Sequence, residues 1–311
     1  MPLNEVGAAP FKACNVRTLV AILRFSRLKF LAGGLLGVAL GTLVARYEHY
    51  RFDLGAFLIA QCTVTVFQLM THYSNDFFDQ ECDERSMRTP FSGGSGVIQS
   101  RELTPILAGR LALGAASLGL LATIFVALHA SALATALATA IGILSWSYSA
   151  PPPRLLARGL GELTTALVVA VLVPLFAYAM QTNTIDTRAI LSTMPAACAM
   201  FVMMLCVEIP DRAADDASGK VNLLVRFGLQ STRRMIEVCL VGIFAAAGLA
   251  SVLGAPATFG YFALGAVPIA VSLWRTLKRP IVADAAIAAR GVLLFAATVA
   301  CGVLGYAAAA V

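Results

Sequence analysis

Nine apolar runs, separated by short charged or turn-rich segments, leave this 311-residue chain few ways to fold. They fall at about residues 19–45, 54–80, 103–128, 131–150, 159–180, 188–208, 232–254, 257–275 and 287–309. A bilayer core is spanned by a helix of ~20 apolar residues. Only 13% of the chain is charged, against about 25% in soluble domains, so water cannot be the solvent around most of it. Lipid offers no partners for backbone N–H and C=O groups, and helices satisfy them internally. The expected fold class is all-α, a polytopic membrane protein of nine transmembrane helices. Residues 1–311 are expected to form a single integral-membrane domain.

Basic residues give the orientation. With the N-terminus inside, 20 of the 23 Lys and Arg lie on the cytoplasmic side, Lys12 among them, and only Arg46, Arg51 and Arg188 fall outside. Met1 to Cys14 has no apolar core and is not expected to be a cleaved signal. The seven cysteines are odd in number and form no CxxC pair, so they read as free thiols or small fillers.

The sparse charge is concentrated. Ser74-Asn75-Asp76-Phe77-Phe78-Asp79-Gln80-Glu81-Cys82-Asp83-Glu84 carries five carboxylates within nine residues, at the end of the second run. If the helix continues here, Asp76, Asp79 and Asp83 share one face at i, i+3 and i+7. Two carboxylates about 6 Å apart repel by roughly 2–3 kcal/mol at an effective dielectric of ~20. Clustered hard oxygens relieve that repulsion by binding Mg²⁺ or Ca²⁺. The bland alternative is a solvated acidic helix end. Against it stands a second cluster at the matching edge of the sixth run, Glu208-Ile209-Pro210-Asp211-Arg212-Ala213-Ala214-Asp215-Asp216-Ala217-Ser218-Gly219-Lys220. Two carboxylate groups with Arg and Lys beside them suggest a metal–diphosphate site.

Other segments are less specific. Gly33, Gly37 and Gly41 form a small-residue ladder suited to close helix packing. Arg24, Arg27 and Lys29 read as headgroup anchors in preference to phosphate ligands. His72, one turn before Asp76, reads as a satisfied packing residue, with the cavity as the alternative. Ser92-Gly93-Gly94-Ser95-Gly96 can gather backbone N–H groups on an anion, act as a lid, or be a plain linker. Trp146 and Tyr148 suit an aromatic belt, and Pro151-Pro152-Pro153 stops the fourth helix.

At these residues the chain resembles the UbiA superfamily of intramembrane prenyltransferases. Asn75-Asp76-Phe77-Phe78-Asp79-Gln80-Glu81-Cys82-Asp83 is similar to the family's NDxxDxxxD motif, and Asp211, Asp215 and Gly219-Lys220 to its DxxxDxxxGK motif. Tyr148-Ser149-Ala150-Pro151-Pro152 and Arg158-Gly159-Leu160-Gly161-Glu162 resemble the segment between them. The resemblance implies nine helices around a central cavity under a cytoplasmic cap, and Mg²⁺-dependent transfer of a prenyl chain from its diphosphate to an often aromatic acceptor. It implies metal binding by Asp76, Asp79, Asp83, Asp211 and Asp215, with Asn75 orienting a carboxylate or contacting the diphosphate. Tyr148, Arg154, Arg158 and Lys220 are then the substrate-binding residues. The Gly-Gly-Ser-Gly loop, the Gly-Leu-Gly-Glu turn and Gly219-Lys220 look nearest the 1,4-dihydroxy-2-naphthoate and homogentisate polyprenyltransferase branches, hence quinone and menaquinone biosynthesis.

The implied partners are a prenyl diphosphate, an aromatic or lipid-soluble acceptor and membrane lipid, with no nucleic acid. The implied location is a prokaryotic inner (plasma) membrane, with the site facing the cytoplasm. Two departures stand out. Arg154 is followed by Leu155, Leu156 and Ala157 where many members carry a lysine, and Asn222 stands where quinone-branch members carry Thr. The alternatives are another UbiA-type transferase or terpene cyclase, or a cation transporter. A transporter usually carries charge at mid-span, which this chain lacks in spans three, four, eight and nine.

Overall fold

The computed structural model describes residues 16–86, 88–279 and 285–310. Lys12, Cys14 and the leading segment expected not to be a cleaved signal therefore lie outside the described residues. Among the described residues, nine helical segments are long and apolar enough to cross a membrane. They run Val16–Tyr47, Leu54–Phe78, Pro105–His129, Ala132–Ser149, Gly161–Thr182, Thr187–Glu208, Leu223–Val252, Ala257–Leu277 and Ala285–Ala309. The protein is all-helical and integral to the membrane. Large apolar side chains such as Leu113, Leu120, Leu128, Val238 and Val241 point outward, as a lipid-facing surface requires.

Side chains at the helix starts explain several boundaries. Asp53, Thr104, Ser131 and Asp186 each accept a backbone N–H three residues on, at 3.0, 3.2, 3.2 and 2.7 Å. Asn222 does the same for the seventh span, bonding Val225 N–H at 2.8 Å. That cap starts the span at Leu223, earlier than its apolar run suggests. Arg226, Arg233 and Arg234 mask the first turns, and the chain kinks at Gly228, where φ is 74°.

Two apolar cores flank a central cavity. One gathers residues from the first four spans and part of the fifth, including Phe25, Val64, Phe67, Ile141 and Phe176. The other gathers the fifth to ninth spans around Met200, Leu205, Ile236, Leu273 and Phe295. The glycine ladder of the first span does pack closely. A Cβ at Gly41 would run into the Pro174 carbonyl of the fifth span. The fifth span carries a π-helical turn at Val168–Leu172, and Val168 and Val169 of that turn face the cavity.

Candidate active site

The first acidic motif does not continue a straight helix. The second span ends at Phe78, Asp79 takes φ −101° and ψ 16°, and a short helix resumes at Gln80–Arg85. Hydrogen bonds still cross the kink, from Asp79 N–H to Asn75 O and from Asp83 N–H to Asp79 O, both at 2.9 Å. The shared helical face of Asp76, Asp79 and Asp83 is therefore broken. Asp79 and Asp83 line the cavity, whereas Asp76, 2% exposed, does not. Asp76 is ion-paired with Arg27 and accepts the Ser95 N–H at 3.0 Å.

Arg27 is the basic residue that sequence reasoning misassigned. It interrupts the first span in a left-handed conformation, φ 46°, and its side chain turns inward to Asp76 and the cavity. It is not a headgroup anchor. Arg24, half-exposed, binds Glu102 at 2.6 Å and stays at the surface.

The second motif meets the first. Asp211 opens the short helix Arg212–Ala217, and Asp215 lies within it. Lys220 Nζ sits 3.4 Å from Asp79 Oδ2 and 3.4 Å from Asp215 Oδ1, bridging the motifs. Cys82 Sγ–H donates to Asp215 Oδ1 at 3.2 Å, and Arg85 donates to the Ala217 carbonyl at 2.8 Å. Asp79, Asp83, Asp211, Asp215, Asn75, Tyr148 and Lys220 all line one cavity of about 320 Å³, within the size range of small-molecule sites. Asn75 donates to Asp79 Oδ2 and to Ser149 Oγ, both at 3.2 Å, and so does orient a carboxylate.

The remaining cations divide. Arg154, also left-handed at φ 41°, lies 3.6 Å from Asp79 Oδ1 at the rim. Arg158 is not brought to the cavity. It is exposed and donates to the Pro152 carbonyl at 2.9 Å, because the turn Leu155–Arg158 carries its side chain back over the proline segment. His72 satisfies both of its sequence readings, lining the cavity with Nδ1 2.9 Å from the Ser26 carbonyl oxygen.

The glycine-rich loop is neither a free linker nor a bare anion cradle. Gly93 N–H donates to Asp211 Oδ2 at 3.1 Å and Ser95 N–H to Asp76, so one loop ties the two motifs together. Gly94 between them has φ 69°, and a Cβ there would strike the Asp83 carboxylate.

Burial raises the Asp83 carboxyl to about 6, with Arg27 opposing the rise. Burial and then the neighbouring Asp215 raise Asp211 to about 7. Burial opposes the charge on Lys220, but Asp79 and Asp215 outweigh it and hold the ammonium protonated. Among the described residues, no three acidic or histidine side chains stand close enough to hold one ion as they are placed. Lys220 occupies the gap between the motifs. The donor set nonetheless fits a hard cation, because Asp83 Oδ2 and Asp211 Oδ1 are buried with no hydrogen-bond partner.

The sequence profile of the UbiA prenyltransferase family matches residues 34–296. The chain belongs to the UbiA prenyltransferase family. Its members are enzymes, and the fold agrees with solved UbiA structures. A UbiA homologue from Archaeoglobus fulgidus bound to GPP and Mg²⁺ has a TM-score of 0.66 to this chain at 12% identity, covering 92% of this chain and 99% of that one. The apo UbiA homologue from Aeropyrum pernix K1 gives 0.65 at 12% identity, covering 90% and 96%. A digeranylgeranylglyceryl phosphate synthase gives 0.63 at 14% identity, covering 94% and 99%. No curated protein sequence matches the chain. Within this UbiA fold, Asn222 is a candidate site residue that the sequence understated. Fully buried, it caps the seventh span and donates to Asp215 Oδ2 at 2.6 Å. Its place two residues after the Gly-Lys pair was the available signal.

Proposed function

We propose that this chain transfers a prenyl group from a prenyl diphosphate to an aromatic quinone precursor within the membrane. The observation that carries the reading is the convergence of two carboxylate motifs, bridged by Lys220, at the polar end of an otherwise apolar cavity. Mg²⁺ is the ion present with GPP and with DMAPP in the Archaeoglobus fulgidus structures. Here Asp79, Asp83, Asp211 and Asp215 would hold it, using the unpartnered oxygens of Asp83 and Asp211. When bound, Mg²⁺ supplies positive charge that stabilises the leaving diphosphate.

The chain's own residues do the rest. Lys220, already charged, and Arg154 at the rim offer further positive charge to the diphosphate. Asn75 fixes Asp79, and the glycine-rich loop fixes Asp211 and Asp76. Val64, Phe67, Ile141, Met200 and Phe295 line the cavity, exclude water and receive the prenyl tail. The Tyr148 ring lines the same space and suits a developing allylic cation. The aromatic acceptor, not water, then captures that cation through a new C–C bond and gives up its ring proton to the departed diphosphate.

The Gly-Gly-Ser-Gly loop, the Gly-Leu-Gly-Glu turn and Gly219-Lys220 support a quinone-type acceptor. The distribution of Lys and Arg supports a cytoplasmic mouth, and the proposed setting is a prokaryotic plasma membrane with the chain as one catalytic unit. Purified protein incubated with Mg²⁺, a set of prenyl diphosphates and a panel of quinone precursors tests this, with products read by mass spectrometry. Prenylated quinone precursors are expected. Products on lipid or glycerol acceptors alone would overturn the acceptor assignment, and no diphosphate release with any donor would overturn prenyl transfer.

A further inference from the structure

From Leu223 to Arg279, along the seventh and eighth spans, Glu237 is the only carboxylate against six Lys and Arg. Arg233, Arg234, Arg275, Lys278 and Arg279 come together at the membrane edge where the sixth span ends and the seventh begins. Glu237 pairs with Lys278 at 2.6 Å, and the Trp274 indole is a hydrogen-bonding neighbour of the same carboxylate. Lys278 Nζ also lies 5.4 Å from the Trp274 ring centroid. Arg233 reaches across from the seventh span and donates to the Arg279 carbonyl at 3.1 Å, while its Nε is buried with no partner. Arg234, Arg275 and Arg279 are exposed, and no carboxylate pairs with them among the described residues. Four guanidinium groups therefore share this edge with one carboxylate that Lys278 already holds. Their mutual repulsion calls for an anion.

The two helices also part company here. The eighth span packs on the seventh through its first turns, Ala257–Ala263, and touches it little over Val267–Leu277. Val241 lies one turn deeper in the bilayer than Glu237, and Val271 one turn deeper than Trp274. Both are exposed, at 71% and 38%. The result is a cleft with aliphatic walls beneath a cationic mouth. A free anion would match the mouth and not the walls. A partner from the aqueous phase would likewise leave the walls uncovered. An anionic phospholipid matches both, with its phosphate at headgroup depth and its acyl chains along the valines. Trp274 stands at that depth, as interfacial tryptophans do.

We propose that the cleft between the seventh and eighth spans binds an anionic phospholipid, with Arg233 and Arg279 on its phosphate and Arg234 and Arg275 beside it. The lipid supplies the missing counter-charge and holds the diverging helix ends together. This site is separate from the central cavity and independent of the prenyl-transfer reading.

Trp274 is one of two tryptophans, so Trp146→Phe leaves it as a reporter. The full chain in this background is placed in vesicles of phosphatidylcholine and phosphatidylglycerol, with one lipid or the other carrying brominated acyl chains. Quenching of Trp274 then gives the relative affinity of the two lipids beside it. A plain apolar wall shows no preference. A preference for phosphatidylglycerol of about fivefold or more is expected here, because one Lys or Arg near an anionic lipid is worth about fivefold. Arg275→Gln combined with Arg279→Gln, both at exposed positions, should reduce it to about twofold or less with the fold retained. Arg233→Gln should reduce it as well. Arg110→Gln, at an exposed position of the same edge on the third span, should leave it intact. No preference in the parent protein overturns the proposal. An equal loss in Arg110→Gln does so too, since it would mean diffuse surface charge. A preference removed by inorganic phosphate, and not by chloride at matched ionic strength, would mean a site for free phosphate and overturn the lipid assignment.

Discussion

The Asn222 side-chain amide donates to Asp215 Oδ2 at 2.6 Å while its carbonyl oxygen caps the seventh span at Val225. One residue therefore starts a helix and holds a proposed metal ligand. Asn222→Ala should lower stability by about 1 kcal/mol through the lost cap, and transfer should fall as well. Asn222→Asp keeps a good cap but sets a carboxylate against Asp215. The repulsion at this buried contact outweighs the retained cap, so this variant should lower the unfolding midpoint more than the alanine variant and lose more activity. Thermal unfolding in detergent, paired with rates, checks this ordering. A shared loss of stability alone would reduce Asn222 to a cap.

Gly94 lies between the two loop N–H groups that hold Asp211 and Asp76. An added Cβ would strike Asp83, and the left-handed backbone there disfavours any side chain. Gly94→Ala should displace the loop and reduce transfer about tenfold or more. The helical bundle should melt near the wild-type temperature, because Val97 and Ile98 further along the loop, and not Gly94, are what join it to the first core. Limited proteolysis should cut the variant faster between residues 88 and 102. Wild-type rates in Gly94→Ala would mean that the loop's contacts are incidental.

Arg27 and Asp76 form a buried pair, 19% and 3% exposed. Removing one member of such a pair leaves an uncompensated charge and costs about 3–5 kcal/mol. Arg27→Met alone should therefore destabilise strongly, and Arg27→Met combined with Asp76→Asn should recover at least half of the loss. Chemical unfolding of the three proteins decides it. Equal loss in the single and double variants would show that Arg27 acts through packing alone.

Much of this was legible in the chain. Helix number and membrane class follow from apolar run length, and the two motifs pointed to their meeting through charge concentrated twice at one membrane edge. What was hidden depends on backbone turns. Arg27 looked like one of three interfacial cations until a left-handed residue turned it inward. Asp76 looked equivalent to Asp79 and Asp83 because a regular helix would align them, and the kink at Asp79 separated them. Arg158 and Arg154 are four residues apart, yet only Arg154 reaches a carboxylate. Glu208 gave no signal beyond membership of an acidic cluster, since its buried contact with Glu162 of the fifth span appears only in three dimensions.

Acid should weaken the site in a definite direction. The carboxyls of Asp83 and Asp211 are raised to about 6 and about 7 by burial. Mg²⁺ competes with these protons, so its apparent affinity should fall as pH drops from about 7.5 to 5.5. The stability of the metal-free protein runs the other way. A raised carboxylate pKa means the folded state holds its proton more tightly than the unfolded chain does. The metal-free protein should lose stability as pH rises from near 4 through 7, and saturating Mg²⁺ should flatten that loss. Melting curves across this range, with Mg²⁺ or with a chelator, test both signs. Metal-free stability that rises with pH over that interval would contradict the assignment.

The central claim is that the two motifs act as one metal–diphosphate site. Asp79→Asn and Asp215→Asn nearly preserve shape and remove one negative charge from each side of Lys220. Electrostatic stabilisation of developing charge is commonly worth ~3–4 kcal/mol, a factor of about 10²–10³ in rate. Diphosphate release from a prenyl diphosphate at limiting Mg²⁺ should fall by about that factor in each variant, with folding in detergent retained and excess Mg²⁺ restoring only part of the rate. Near-wild-type release in both well-folded variants would contradict the shared site.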